Sequence, residues 1–201
     1  MAYNDFDLKK VKTELGITIN EQPALFADVT TIAISATLAE ILSEAVPLAR
    51  AINTEKARSE FIIANILMEA RKLLKHSISL FSGIEFNVNK EKGLNGFCDF
   101  IFSASPAQLL LNAPIIAIVE AKNENIIGGL GQCIAEMVAA DMFNNNENHK
   151  FKTIYGVVTT GITWKFLMLE DTTASIDIDE YSIDNPQKII GILLMMLNRN
   201  C

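Results

Sequence analysis

The segment that most limits the possible folds is a short, unbroken apolar run, Ile115–Val119, which follows Pro114 and ends at charged residues. The run is too short for a stable helix, and it does not alternate with polar residues as a strand with one wet face would. A continuous apolar strand is typical of the centre of a sheet that is covered on both faces. The run therefore predicts a layered domain whose central sheet carries helices on both sides.

The other elements follow from hydrophobic periodicity and turn residues. Helical spacing of apolar residues predicts helices over residues 5–15, 35–52, 55–75, 127–144 and 187–197. Strand patterns cover residues 79–88, 94–103, 153–160, 164–169 and 173–181, and the first two are expected to form a hairpin. Residues 17–33 show neither pattern and are expected to be mostly irregular. This order favours an α/β or α+β domain, and we predict the α/β class with a mixed central sheet flanked by helices on both faces.

The length of 201 residues fits a single domain. We divide it into an N-terminal helical extension (1–54), a core (55–170) and a C-terminal strand and helix (171–201). The first residues carry neither a basic flank nor an apolar stretch, so we expect no signal peptide and predict a cytoplasmic location. No stretch approaches the ~20 uncharged apolar residues that cross a bilayer, so no membrane partner is expected.

Charge and cysteine usage exclude some functions. Seventeen basic against twenty-four acidic residues give a net charge of −7, which argues against nonspecific coating of nucleic acid but leaves room for a local basic groove. The candidates for a basic rim are Arg71, Lys72, Lys75, His76, Lys90 and Lys92. With two histidines, and with Cys98, Cys133 and Cys201 far apart, the sequence argues against a zinc site and predicts reduced, mostly buried thiols.

The chemistry is concentrated where the apolar run ends, at Glu120-Ala121-Lys122. Side chains at positions i and i+2 of a strand share a face, so Glu120 and Lys122 should emerge side by side. Asp99 is a lone carboxylate within an apolar strand, and it approaches Glu120 if the two strands pair. Two carboxylates and a chain carbonyl form the oxygen site that suits Mg²⁺.

Two further polar residues complete an ordered set. Glu60 lies on the 55–75 helix, and Gln132 lies on the helix after the Glu-Ala-Lys strand, where it could hydrogen-bond a phosphate or brace the lysine. Together with Asp99, Glu120 and Lys122, they resemble the PD-(D/E)XK nuclease superfamily, which has the restriction-endonuclease-like fold. The resemblance covers residues 55–170 and implies a nuclease core there, with Gln132 supporting the site.

The resemblance also implies roles for these residues. The carboxylates of Asp99 and Glu120 and the carbonyl of Ala121 would bind Mg²⁺, for which Mn²⁺ can substitute, and Glu60 would hold the metal through water. Lys122 would orient the attacking water and offset charge on the phosphate. Independently of any family, a metal and a lysine suit phosphodiester hydrolysis because negative charge develops on the phosphate oxygens. Lys122, between two carboxylates, should stay charged.

Simpler interpretations stand beside these. Glu120 and Lys122 could form a salt bridge at a strand end without chemistry, and Glu60 could be an ordinary exposed helix residue. Glu136, one helical turn beyond Gln132, is expected to be solvated. The glycine-rich stretch 128–131 matches no phosphate-binding motif and is expected to let the chain turn tightly into the following helix.

The sequence therefore predicts a divalent-metal-dependent endonuclease, with DNA as its partner. The alternative is a catalytically inactive restriction-endonuclease-like binding or scaffold protein, because fold does not fix function. RNA or a small phosphodiester is a third possibility for the substrate. A homodimer through exposed Met195 and Met196 is also considered.

Overall fold

Within residues 1–198, which the computed structural model describes, eight strands form one mixed sheet. They are β1 (Thr18–Gln22), β2 (Ser79–Glu85), β3 (Phe97–Ser103), β4 (Ile115–Ala121), β5 (Thr153–Thr159), β6 (Thr163–Glu170), β7 (Thr173–Asp177) and β8 (Tyr181–Ser182). The order across the sheet is β1-β7-β6-β5-β4-β3-β2, and β8 pairs with β6. β4 is parallel to β5 and β1 to β7, while all other pairs are antiparallel. The predicted α/β class with a mixed sheet is confirmed.

The apolar run is a central strand, as predicted. β4 lies between β3 and β5, and every residue of β4 and β5 is buried. A strand in this position has no wet face, which explains why its sequence does not alternate.

Helices cover both faces of this sheet. The described residues contain α1 (Leu8–Glu14), α2 (Ala36–Ile52), α3 (Glu55–Arg58), α4 (Ala64–Leu73), α5 (Ile126–Asn146) and α6 (Pro186–Asn198). A π-helical turn, Ser59–Ile63, joins α3 to α4. One core packs α2, α4 and α6 against Trp164 and Phe166, and a second core packs α5 and the N-terminal residues on the opposite face.

The N-terminal region is not a purely helical extension. Residues 18–22, which were expected to be irregular, form the edge strand β1. These residues are mostly polar and exposed, so the sequence lacks the alternation of apolar and polar residues that would predict a strand. The predicted helix over residues 5–15 is also shorter, because Asp7 caps α1 by accepting a hydrogen bond from the N–H of Lys10.

The strand predicted over residues 173–181 is divided into β7 and β8. Asp177 is fully buried, and its carboxylate accepts hydrogen bonds from the N–H groups of Phe26 and Asp179 and from the hydroxyl of Tyr181. These bonds hold a local turn at Asp177, so the chain leaves the ladder there.

α6 offers no exposed methionine pair for a dimer. Met196 is fully buried and Met195 is half-buried against the same core. The expectation that both are exposed is wrong, because helical periodicity turns this face of α6 toward the sheet. A homodimer stays a prediction without this support. Cys98 and Cys133 are buried and unbonded, as expected, whereas Cys201 lies outside the described residues.

α5 has the length and composition of a membrane-spanning helix, yet most of it is buried inside the protein, against β4, β5 and the N-terminal residues. This is the position of a core helix. Its close approach to the N-terminal segment depends on Gly131, where a Cβ atom would lie 2.4 Å from the carbonyl carbon of Asp7.

Gly131→Ala should therefore destabilise the protein by about 2–3 kcal/mol, since the added methyl group meets backbone atoms that have no room to move. Urea unfolding measures the change. The matched control is Gly128→Ala in the exposed first turn of α5. The added Cβ would lie 2.6 Å from Nδ2 of Asn125, an exposed side chain that caps the helix and, unlike a backbone, can move away. That control should change the free energy of unfolding by less than about 1 kcal/mol. Equal effects of the two substitutions would contradict the packing argument.

Candidate active site

Asp99 and Glu120 lie next to each other at one end of the sheet. β3 and β4 are antiparallel with Phe100 opposite Val119, so Asp99 and Glu120 come next along the pairing. Oδ2 of Asp99 accepts a hydrogen bond of 2.8 Å from the backbone N–H of Ala121. The side chain of Asp99 thus continues the contact between the two strands. We call this end of the sheet, which carries Asp99, Glu120 and Lys122, the carboxylate end.

A local distortion of the hairpin accompanies the position of Asp99. Cys98 and Phe100 are two residues apart, yet they pack into opposite cores. On β2, Gly83 lies opposite Asp99, because the residues on either side of it pair with Phe100 and Cys98. Gly83 has a φ of +61°. Glycine adopts this conformation without the steric cost that other residues meet. At this pair the side chains of β3 switch from one face of the sheet to the other. The carboxylate of Asp99 reaches the N–H of Ala121 at the same point.

Lys122 extends from the end of β4 toward Glu120. Its Nζ lies 2.5 Å from Oε1 of Glu120 and donates a hydrogen bond of 3.1 Å to Oε1 of Gln132. The side chain of Lys122 is 24% exposed, whereas that of Glu120 is 3% exposed. The partly exposed side chain of Lys122 therefore connects a buried carboxylate to the surface of the protein.

The glycines of α5 serve close packing, not a turn. The helix already begins at Ile126, before the glycine-rich stretch, so the expectation of a tight turn into the helix is wrong. A Cβ at Gly129 would lie 3.0 Å from Cγ and Cε of Lys122 and 2.8 Å from Cγ1 of Val158. Because position 129 has no side chain, the stem of Lys122 can pack directly on the helix.

Glu136 is not solvated, contrary to the expectation from its spacing. It is fully buried, and its Oε1 accepts a hydrogen bond of 3.1 Å from Nε2 of Gln132. The charge of Glu136 contributes to raising the pKa of Tyr3, near the N-terminus, and of Cys98 on β3, so both residues lie near it. No pattern around position 136 indicates contacts with such distant segments. Oε2 of Glu120 and Oε2 of Glu136 are both buried, and neither has a hydrogen-bond partner among residues 1–198.

Burial and mutual repulsion govern the protonation of this cluster. Burial, reinforced by the charge of Asp99, raises the pKa of Glu120 to about 8, although Lys122 opposes the shift. Burial also raises the pKa of Asp99, against the hydrogen bond from Ala121 and the charge of Lys122. For Glu136, burial and the charge of Glu120 raise the carboxyl pKa well above its usual range. One lysine is too little positive charge for these carboxyl groups.

Lys122 itself stays positively charged, in line with the sequence argument. Burial lowers the pKa of its ammonium group, but the charge of Glu120 and the hydrogen bond to it outweigh this effect. The pKa of Lys122 therefore lies above its ordinary value.

The helical acid near this cluster is Glu55, not Glu60. The charge of Glu55 contributes to raising the pKa of both Glu120 and Lys122, whereas Glu60 contributes to neither. Glu60 is exposed, and its carboxylate pairs with Lys56 at 2.7 Å. The structure thus does not join Glu60 to the cluster. Glu55 sits at the start of α3, and sequence reasoning missed it because its position there suits an ordinary helix dipole.

Most of the expected basic rim lies away from the cluster. Arg71, Lys72, Lys75 and His76 directly precede β2, whose first residues pair with the end of β3 that is remote from Asp99. They therefore lie at the opposite end of the sheet. Lys90 and Lys92, in the turn after β2, are the members of this set at the carboxylate end.

Two arginines lie at the carboxylate end instead. Arg50 and Arg58 line a cavity of about 450 Å³ beside the ends of β4 and β5. Arg58 is held by hydrogen bonds to the carbonyl of Thr160 and to Oδ1 of Asn53. No carboxylate within the part of the chain that the structure describes forms an ion pair with Arg58. A larger cavity of about 920 Å³ lies between β6 and α6. Neither cavity is lined by Asp99, Glu120 or Lys122, so the arginines lie near the cluster but do not share a cavity with it.

The described residues contain no group of three or more His, Cys, Asp or Glu side chains that could hold a metal ion by themselves. Asp99 and Glu120 supply two carboxylates, one of which has an unpartnered buried oxygen. Mg²⁺ is commonly bound by one or two carboxylates together with water and substrate phosphate. The pair therefore fits Mg²⁺ with solvent and substrate as the remaining ligands.

Comparison of the chain with protein-family models and with curated proteins finds no match. A function for this chain is therefore inferred from the geometry of the cluster.

Proposed function

We propose that this protein is a divalent-metal-dependent nuclease that hydrolyses phosphodiester bonds in DNA, with a core of the restriction-endonuclease-like type. The observation that carries the proposal is the meeting of Asp99, Glu120 and Lys122 at one sheet end, with Lys122 hydrogen-bonded to Gln132. A buried cluster of this kind costs stability, and perturbed carboxyl groups beside a lysine are more common at functional sites than elsewhere.

The excess of carboxyl groups supports a cation at this place. Asp99 and Glu120 would bind the Mg²⁺, the carbonyl of Ala121 is its third proposed ligand, and Oε2 of Glu120 has no other partner in the described chain. When bound, the cation would stabilise negative charge on the phosphate and lower the pKa of a water. In place of the expected Glu60, we propose Glu55 as the acid that adds negative charge from the helix side.

The protein's own side chains supply the rest of the chemistry. Lys122 presents an ammonium group that donates to an oxygen of the scissile phosphate or to the attacking water, and it stabilises the charge that develops there. Gln132 accepts one of its hydrogens and so limits where Nζ can lie. Glu120 accepts another hydrogen, which fixes Lys122 on the side of the carboxylates.

DNA is the proposed substrate because Arg58 and Arg50 stand beside the same strand ends. Arginine suits phosphate recognition because its guanidinium donates several hydrogen bonds in a fixed plane. The net charge of −7 favours the second candidate, a binding or scaffold protein without catalysis, since strong nonspecific attraction to DNA is missing. A cytoplasmic location remains the prediction.

Incubation of the purified protein with plasmid, single-stranded DNA and RNA tests this proposal. We expect cleavage of DNA in Mg²⁺ or Mn²⁺, no cleavage in EDTA, and no cleavage above background by Asp99→Asn. Glu60→Gln is the matched control and should retain wild-type activity, because Glu60 is exposed and bonded to Lys56. Cleavage that survives Asp99→Asn would contradict the proposed site. Binding of DNA without any cleavage would support the second candidate, and preferential cleavage of RNA would reassign the substrate.

A further inference from the structure

Glu136 is a buried acid for which core packing gives no reason. Its side chain is fully buried on α5, one of its oxygens has no partner in the described chain, and burial costs a carboxyl group free energy unless hydrogen bonds compensate. An apolar side chain of similar size would fill the same space without this cost. The feature of Glu136 that an apolar residue would lack is its hydrogen bond from Nε2 of Gln132.

That hydrogen bond determines the orientation of an amide. Gln132 can present either its oxygen or its NH₂ group to a neighbour, and the two orientations have nearly the same shape. Glu136 accepts from Nε2 at 3.1 Å, which turns Oε1 toward Lys122, also at 3.1 Å. In the reverse orientation the NH₂ group would face the ammonium of Lys122, and both groups are donors only.

We infer that Glu136 is a positioning residue, which holds Lys122 in place for catalysis by fixing the amide of Gln132. The inference rests on the proposed nuclease function. Glu136 does not touch the substrate, and its effect passes through two hydrogen bonds that end at Nζ of Lys122. Gly129 supplies the complementary constraint, because the stem of Lys122 packs on its bare backbone.

Two substitutions separate positioning from core packing. Glu136→Gln keeps a carbonyl oxygen that can accept from Nε2, so kcat for DNA cleavage should stay within about threefold of wild type. Glu136→Met fills the same space without an acceptor, and kcat should fall at least about 10-fold with KM unchanged, because small displacements of a catalytic group cost this much. A merely structural role would not produce rescue by glutamine together with loss by methionine at equal melting temperature.

The side-chain amide of Gln132 gives a readout that does not require nuclease activity. In NMR spectra of the full-length protein, its NH₂ protons should exchange slowly in the wild type and in Glu136→Gln, and fast in Glu136→Met. If Glu136→Met does not fold, Glu136→Ala removes the acceptor without added bulk and carries the same test. Slow exchange in the methionine or alanine variant would overturn the inference, and so would wild-type kcat. A wild-type protein that cuts no nucleic acid, yet shows the predicted exchange pattern, would overturn the proposed function and leave the role of Glu136 in orienting Gln132 supported.

Discussion

Lys122→Ala should lower kcat for DNA cleavage by at least about 100-fold, the usual effect of removing a donor that stabilises charge in a transition state. Nζ of Lys122 donates hydrogen bonds to both Glu120 and Gln132. The pKa of Lys122 lies above its ordinary value, so the side chain is charged at neutral pH. Lys122→Arg should also be slow, since a planar guanidinium does not reproduce the compact ammonium that lies between Glu120 and Gln132. Steady-state cleavage of a labelled duplex measures both variants.

The matched control for Lys122 is Lys92→Ala. Lys92 is exposed in the turn after β2, at the same end of the sheet, and its loss removes one charge without touching the cluster. We expect kcat of this control to be unchanged, because a charge on the basic rim contributes to DNA binding, and therefore to KM, and not to the chemical step. Equal losses in the two variants would mean that overall charge matters and that the placement of Lys122 does not.

Glu120→Gln should abolish cleavage and yet stabilise the protein at alkaline pH relative to wild type. The carboxyl of Glu120 has a pKa of about 8 in the folded protein, whereas an unfolded chain releases this proton at about pH 4.3. Between these pH values the folded state binds more protons than the unfolded state, so the free energy of unfolding of the wild type falls as the pH rises. Glutamine does not titrate, and this loss disappears in the variant.

The size of this effect is read from the difference in unfolding free energy between Glu120→Gln and wild type. We expect the difference to grow in favour of the variant by about 1–3 kcal/mol from pH 5 to pH 8. Urea unfolding in buffers without divalent ions provides the measurement. Added Ca²⁺ should stabilise the wild type at pH 8 and leave the variant unaffected, because a bound cation needs the deprotonated carboxylate. A difference that stays constant with pH would show that the carboxyl of Glu120 titrates normally.

The sequence allowed the centre of the site to be predicted because strand geometry is regular. Glu120 and Lys122 are two residues apart on a strand, and pairing of β3 with β4 brings Asp99 beside them. The unbroken apolar run likewise identified β4 as the central strand, because a strand that is covered on both faces has no polar positions. In contrast, β1 is a polar edge strand that forms only because β7 offers it an open edge.

The parts that were missed depend on contacts between distant segments. The sequence analysis chose Glu60 and missed Glu55. Glu55 lies in α3 and Glu60 in the π-helical turn, so the regular helical spacing that was assumed over residues 55–75 does not hold between them. Glu136 is buried near Tyr3 and Cys98, which are far from it in sequence, so no pattern around position 136 reveals its burial. Arg71 was expected near nucleic acid, but the direction of β2 places it at the opposite end of the sheet. Such placements follow from topology, which a single strand or helix pattern does not contain.

The most direct test of the metal-centred nuclease site is anomalous diffraction from crystals soaked in Mn²⁺. We predict one strong peak within about 2.5 Å of a carboxylate oxygen of both Asp99 and Glu120, the range of metal–oxygen distances in such sites. Crystals of Glu120→Gln soaked in the same way should lose this peak. Wild-type crystals without a peak at Asp99 and Glu120, or with manganese bound only elsewhere on the protein, would contradict the proposed site.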